Sequence, residues 1–279
     1  MEVRDIIIKE KIKAKKNFGQ NFLVDQNILK KIVDATDIDG KNVIEIGPGL
    51  GSLTSLLVKK AKKLVCYEID KDMIEVLKRE YSDKTNITIL HNDFLKVDIQ
   101  QDIKQYFNNE NVILVANLPY YITTAILTKI LEETNKIKKI VVMVQKEVAM
   151  RLSGKPSTKD YNSLSVLIQY YTNVKTLFNV SPKCFIPAPD VESSVISITL
   201  KDEKLQLENE EFFLKFNRSI FIQRRKTLYN NIKTAYPLSK ETIENILLSN
   251  DLPLTVRAEN LTVEQIVKLS NDIYITINH

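Results

Sequence analysis

Glycine and proline are scarce in this chain. It holds six glycines and eight prolines in 279 residues, where average usage of roughly 7% and 5% would give about 20 and 14. The shortage excludes collagen-like and linker-dominated architectures. Cysteine and histidine are as sparse, at two each. Cys66 and Cys184 lie in apolar surroundings without ligand spacing, so neither a disulfide framework nor a metal site is expected. No uncharged apolar run approaches the ~18 residues needed to span a bilayer. The first residues, Met1-Glu2-Val3-Arg4-Asp5, alternate charge where a signal peptide would be apolar. A reduced cytoplasmic protein with no membrane partner is the expectation.

The remaining composition is that of an ordinary globular protein, 44% hydrophobic and 27% charged, with a mean hydropathy of −0.15. The length allows one or two domains. The few glycines and prolines are concentrated: Gly47, Gly49 and Gly51 fall within five residues, and Pro182, Pro187 and Pro189 within eight. The net charge of +5 is also unevenly placed. Lys9, Lys11, Lys13, Lys15 and Lys16 face one acid, Glu10. Arg218, Arg224, Arg225, Lys226 and Lys233 lie in a stretch without acids. Two separated basic clusters suit a nucleic-acid partner.

Short β-branched runs at 42–46, 64–69, 87–90, 112–116 and 140–144 read as fully buried parallel strands. Helical spacing at 53–58, 73–81 and 122–131 falls between them, with a preceding helix at 25–35. Such alternation predicts a doubly wound α/β sheet. Two further strands, 174–180 and 191–200, are expected to pair with each other. Helical patterns then occupy 210–221, 225–232, 241–248 and 263–271. The domains are therefore set at 1–204, a Rossmann-like catalytic unit, and 205–279, a small all-helical unit. Residues 153–160, polar and holding Gly154 and Pro156, read as a loop.

Three motifs carry chemistry. Glu45-Ile46-Gly47-Pro48-Gly49-Leu50-Gly51 runs from a strand into a glycine turn and a helix, as in nucleotide and S-adenosylmethionine sites. Glu68, about 20 residues on, ends the second strand, where a carboxylate can bind a ribose diol; nicotinamide dinucleotide sites share this feature. After the third strand, His91-Asn92-Asp93-Phe94 offers a carboxylate for an adenine amino group beside an aromatic ring. The fourth strand ends in Asn117-Leu118-Pro119-Tyr120-Tyr121, a turn suited to transfer to an exocyclic amine. The Asn117 side-chain oxygen and the Leu118 carbonyl can accept the two N–H bonds of such an amine and favour its tetrahedral geometry. Pro119 stiffens the turn, and Tyr120 can stack on the base.

Further stretches follow in order: Lys16-Asn17-Phe18-Gly19-Gln20-Asn21-Phe22-Leu23, Val144-Gln145-Lys146-Glu147, Phe185-Ile186-Pro187-Ala188-Pro189, Phe221-Ile222-Gln223-Arg224-Arg225-Lys226 and Arg257-Ala258-Glu259. With the three motifs, they make almost the whole chain resemble the KsgA-type rRNA adenine dimethyltransferases. The resemblance implies a Rossmann-like S-adenosyl-L-methionine methyltransferase sheet with a small C-terminal helical domain. It implies dimethylation at N6 of two adjacent adenosines in the 3′-terminal hairpin loop of 16S rRNA, within an immature small ribosomal subunit. By motif, Asn21, Leu23, Gly47, Gly49, Glu68, Asp93 and Asn117 would border the cofactor. Phe185 would face Tyr120 across a flipped adenine. Lys15, Lys16, Arg224, Arg225 and Lys226 would contact RNA phosphates, although a docked helix face also explains the last three. The related large-subunit enzymes share the glycine turn and the Asn-x-Pro-aromatic motif, but the helical-domain motifs favour the small-subunit assignment. A monomer is expected. Tyr161-Asn162 stands where the family commonly has Tyr-Gly, and asparagine suits that place if the backbone is left-handed.

Overall fold

The computed structural model describes residues 20–118 and 122–278. These residues form nine strands and eleven α-helices in two compact units, one made of the described residues up to Ala149 with Lys175–Leu200 and the other of Met150–Val174 with the described residues from Lys201 on. No helix among them is long and apolar enough to cross a membrane.

The first unit is built on buried strands. β2 (Asn42–Ile46), β3 (Lys63–Glu68), β4 (Ile87–His91), β5 (Val112–Asn117) and β6 (Ile137–Gln145) pair in parallel. β9 (Ser193–Leu200) runs antiparallel to β6, and β7 (Thr172–Val180) closes the far edge. The seven-stranded order is β4-β3-β2-β5-β6-β9-β7. All five residues of β2 are buried, as a strand covered on both faces requires. The expected pairing of the two late strands is present, since β7 and β9 are neighbours.

The helices of this unit cover the sheet. α1 (Gln26–Asp34) starts where the Asp25 carboxylate accepts from the Asn27 and Ile28 amides, an ordinary N-cap. Its Leu29 and Ile32 join Leu57 of α2 (Thr54–Lys60) in one buried cluster with Val43, Leu64 and Val115. α3 (Lys71–Glu80), α4 (Ile99–Phe107) and α5 (Thr123–Glu133) complete the crossovers, and α6 (Lys146–Leu152) follows β6. The chain builds outward from β2 through β3 to β4, then returns to the other side of β2 to lay down β5. That reversal opens a crevice at the carboxyl ends of β2 and β5, the usual ligand position in such sheets. A two-stranded ribbon, β1 (Phe22–Leu23) with β8 (Phe185–Ile186), lies apart from the main sheet.

The second unit contains α7 (Ser163–Tyr171), α8 (Glu210–Ile220), α9 (Leu228–Ala235), α10 (Lys240–Ser249) and α11 (Val263–Asn278). The expected division at residue 204 differs from this one mainly in Met150–Val174, which clusters with the helices. α7 explains why: Tyr170 packs on Phe213 of α8 with ring centroids 4.9 Å apart, and the Asn217 amide donates to the Ser163 carbonyl. Asn162 is extended (φ −158°), not left-handed, and serves as the N-cap of α7, in a capping box with Ser165. Residues 153–160 form an irregular stretch of turns, as expected.

Candidate active site

A cavity of about 310 Å³ opens at the crevice. Its walls are the ends of successive strands: Gly47 and Gly49 after β2, Glu68 closing β3, Asp93 after β4, and Asn117 and Leu118 after β5. Asn21 and Leu23 line it from the N-terminal side. The structure thus gathers every expected cofactor residue in one place, with Leu118 of the transfer turn. Pro119, Tyr120, Lys15 and Lys16 lie outside the described residues.

The glycine turn is fixed by backbone geometry and by Glu68. Gly49 has φ +56°, and a Cβ there would meet the Phe22 ring at 3.3 Å. Only glycine takes that conformation and that contact without strain. The Gly49 amide donates to Glu68 Oε2 at 2.9 Å, while Ile69 and Asp70 amides donate to Oε1 at 2.8 and 2.9 Å. Burial pushes the Glu68 carboxyl up, and these three amides oppose that by favouring the charged form.

Beneath the turn lies Glu45, 1% exposed. Thr54 Oγ1 donates to its Oε2 at 2.7 Å and Cys66 Sγ at 3.5 Å. Burial without a nearby cation pushes this carboxyl up to about 7. Three acids, Glu45, Glu68 and Asp93, line the cavity, and no lysine, arginine or histidine does so among the described residues. Such a wall suits a cationic ligand and opposes a pyrophosphate.

Asp93 caps a short 3₁₀ turn, accepting from the Leu95 amide at 3.0 Å. Phe94 beside it is buried edge-on against Tyr67, with centroids 5.2 Å apart. At β5, Asn117 Nδ2 donates to the Asn21 carbonyl at 3.3 Å. A carbonyl partner identifies that end of the amide as the nitrogen, leaving Oδ1 as an acceptor.

Sequence reasoning missed what holds the segment 20–24 over the cavity. Gln20 Nε2 donates to Asp70 Oδ2 at 2.8 Å, Ser52 Oγ to the Leu23 carbonyl at 2.7 Å, and the Val24 amide to Cys184 at 2.9 Å. The one available signal was Asp70, an acid two residues past Glu68 and at the head of α3. Phe185 pairs with Leu23 through the β1–β8 ribbon, is 4% exposed and belongs to the buried cluster; Tyr120, the ring it is expected to face, lies outside the described residues. Among the RNA candidates, Arg224, Arg225 and Lys226 are all exposed. Arg224 in addition donates through Nε to Glu259 Oε2 at 2.9 Å.

A parallel sheet whose strand ends gather a glycine turn, Glu68, Asp93, Asn117 and Leu118 around one cavity is that of a Rossmann-like methyltransferase. The sequence profile of the ribosomal RNA adenine dimethylase family matches residues 11–274. Ribosomal RNA small subunit methyltransferase A of Bacillus pumilus is 45% identical over 277 residues, covering 97% of this chain and 95% of that protein. Its namesake from a Geobacillus species is 46% identical over 274 residues, covering 96% and 94%. Among solved structures, a dimethyladenosine transferase from Plasmodium falciparum superposes with a TM-score of 0.74 at 27% identity, covering 88% of this chain and 94% of that one. The 23S rRNA methyltransferase ErmE does so at 0.70 and 25%, covering 91% and 100%. This chain belongs to the ribosomal RNA adenine dimethylase family.

Proposed function

We propose that this enzyme transfers methyl groups from S-adenosyl-L-methionine to N6 of two adjacent adenosines in the 3′-terminal hairpin loop of 16S rRNA. The product is N6,N6-dimethyladenosine, the substrate an immature small subunit, and the place of action the cytoplasm, with the enzyme a monomer. The observation that carries the reading is the Asn117 amide. Its nitrogen is engaged by the Asn21 carbonyl, so its oxygen is left to receive an amine at the crevice.

The lining fits the cofactor. S-adenosyl-L-methionine is a sulfonium cation that supplies an electrophilic methyl, and the acid-lined, cation-free wall favours such a charge. Glu68 would hold the ribose diol and Asp93 the adenine amino group. Gly47 and Gly49 would let the methionine part approach the backbone, with Asn21 and Leu23 closing over it.

The adenine N6 lone pair is conjugated with its ring and is barely nucleophilic. Asn117 Oδ1 and the Leu118 carbonyl would accept its two hydrogens and draw the nitrogen toward tetrahedral geometry, where the lone pair is released for in-line attack. No strong general base is required, because methylation makes the remaining N–H acidic. Pro119 would stiffen the turn and Tyr120 would stack on the flipped base. Lys15, Lys16, Arg225 and Lys226 would meet phosphates, which position RNA without reading it.

Incubating the protein with radiolabelled cofactor and either undermethylated small subunits or large-subunit rRNA tests this reading. Label is expected in the small-subunit rRNA. Label in the large-subunit rRNA alone would reverse the assignment.

A further inference from the structure

The run Gln223-Arg224-Arg225-Lys226 in the second unit divides its three cations between two different tasks. Arg224, with a side chain 42% exposed, is tied back to its own unit by hydrogen bonds. Its guanidinium reaches Glu259 Oε2 at 2.9 Å and the carbonyls of Thr158 and Tyr161 at 3.4 and 3.3 Å. The segments it touches are also tied to each other: the Ser157 amide donates to the Glu259 carbonyl at 2.7 Å, and Asn260 Nδ2 donates to Ser157 Oγ at 3.2 Å. Phe221 adds an edge contact to the ring of Tyr161 at 6.2 Å. Three loops, 157–161, 221–226 and 257–260, therefore meet around one guanidinium. A planar fork that satisfies a carboxylate and two carbonyls at once is a task for arginine and not for lysine.

The neighbouring cations make none of these contacts. Arg225 and Lys226, exposed like Arg224, have no ion pair among the described residues. Ile222, between the buried-side Phe221 and these cations, is 74% exposed, the most exposed of the large hydrophobic side chains described in this chain. An isolated exposed isoleucine needs no explanation. Here, however, it stands on a short turn tied down through Arg224 and is followed by two positive charges that have no ion pair among the described residues. Two cations beside an apolar tip match the chemistry of an RNA backbone, with phosphates flanking an apolar ribose or base face.

We propose that Arg224 is a positioning residue rather than an RNA contact, and that it presents Ile222, Arg225 and Lys226 as a compact RNA-docking tip. The proposal rests on the rRNA reading above for its ligand. Arg225 and Lys226 each neutralise one phosphate, and Ile222 adds a contact that does not depend on salt.

The test is binding of the full chain to undermethylated small subunits across a potassium chloride series, together with amide hydrogen exchange. Replacing Arg225 or Lys226 with alanine is expected to lower the slope of log affinity against log salt by about 0.7–1 each. Ile222→Ser is expected to weaken binding roughly three- to tenfold at every salt concentration, with the slope unchanged. Arg224→Lys, which keeps the charge, and Glu259→Gln, which changes no cation, are both expected to speed exchange in 157–161 and 257–260. A normal slope should survive in each. If Arg224→Ala lowered the slope by one while exchange stayed as in the parent, Arg224 would be a phosphate contact and the division of tasks wrong. Unchanged binding in the Ile222, Arg225 and Lys226 variants would remove the tip. Failure of the parent protein to bind the subunits at all would instead strike at the rRNA reading.

Discussion

Glu45 is a carboxyl enclosed by the fold with Cys66 and Glu68 on β3 and Tyr81 beyond α3 as its titratable neighbours, none of them a cation. Its proton is held up to about pH 7 in the folded state, against an ordinary value near 4.5. An acid whose folded value is raised contributes stability below its unfolded value, and that contribution is lost as pH rises through the folded value. The free protein is therefore expected to lose about 3 kcal/mol between pH 4.5 and 7 on account of Glu45. Glu68, raised in the same direction, adds to the slope. Glu45→Gln should flatten the profile by that amount, read by urea unfolding at pH 5 and pH 8. An identical slope in the variant would assign the titration elsewhere. A cationic ligand beside Glu45 favours its charged form, so cofactor binding at pH 7 should release protons. Calorimetry in buffers of different ionisation heat measures that release, and Glu45→Gln should reduce it.

Asn117 belongs to the same scale. Replacing it with alanine removes the amine acceptor and the link to Asn21 together. Methyl transfer is expected to fall by roughly 10²–10³ in kcat, with binding to small subunits retained. Near-parental turnover would show that the Leu118 carbonyl suffices or that the amine lies elsewhere.

Elements show what was legible and what was not. The parallel strands could be read because burial on both faces forces nearly uninterrupted β-branched runs, as in Val112–Asn117. Three helices escaped notice. α4 has only Ile99, Ile103 and Phe107 as its buried stripe. α7 is apolar nearly all round, so no helical period stands out. α6 has seven residues. The β1–β8 ribbon has two residues per strand, too few for any pattern, and it is this ribbon that buries Phe185. The motif residues were legible as chemistry, but not the ties from Gln20 and Ser52 that close the 20–24 segment, since contacts across 50 or 29 positions leave no local trace. Phe185→Ala is accordingly expected to cost about 3–5 kcal/mol of stability, seen in thermal or urea unfolding. Full stability with lost turnover would make stacking, not packing, its main role. Gly49→Ala forces an L side chain to φ +56° against Phe22. It should cost roughly 1–3 kcal/mol and weaken cofactor binding measured by calorimetry.

At the scale of the whole molecule, one sheet reversal gathers the ends of four strands into the cavity, and family membership gives that cavity its reaction. The sparing use of glycine follows from this. Gly47, Gly49 and Gly51, half of the total, all stand at positive φ in the turn below the crevice. On the proposal above, the second unit, with its tip at Ile222–Lys226, would carry the surface for RNA. Base specificity would then rest on an accessible hairpin loop rather than on groove reading. The central claim is tested most directly by mass analysis of adenosines in 16S rRNA from cells with and without this protein. Cells that have it should show N6,N6-dimethyladenosine at two adjacent positions in the 3′-terminal hairpin loop, and cells that lack it should show unmodified adenosine there. Dimethylated adenosines persisting at both positions without the protein would contradict the assignment.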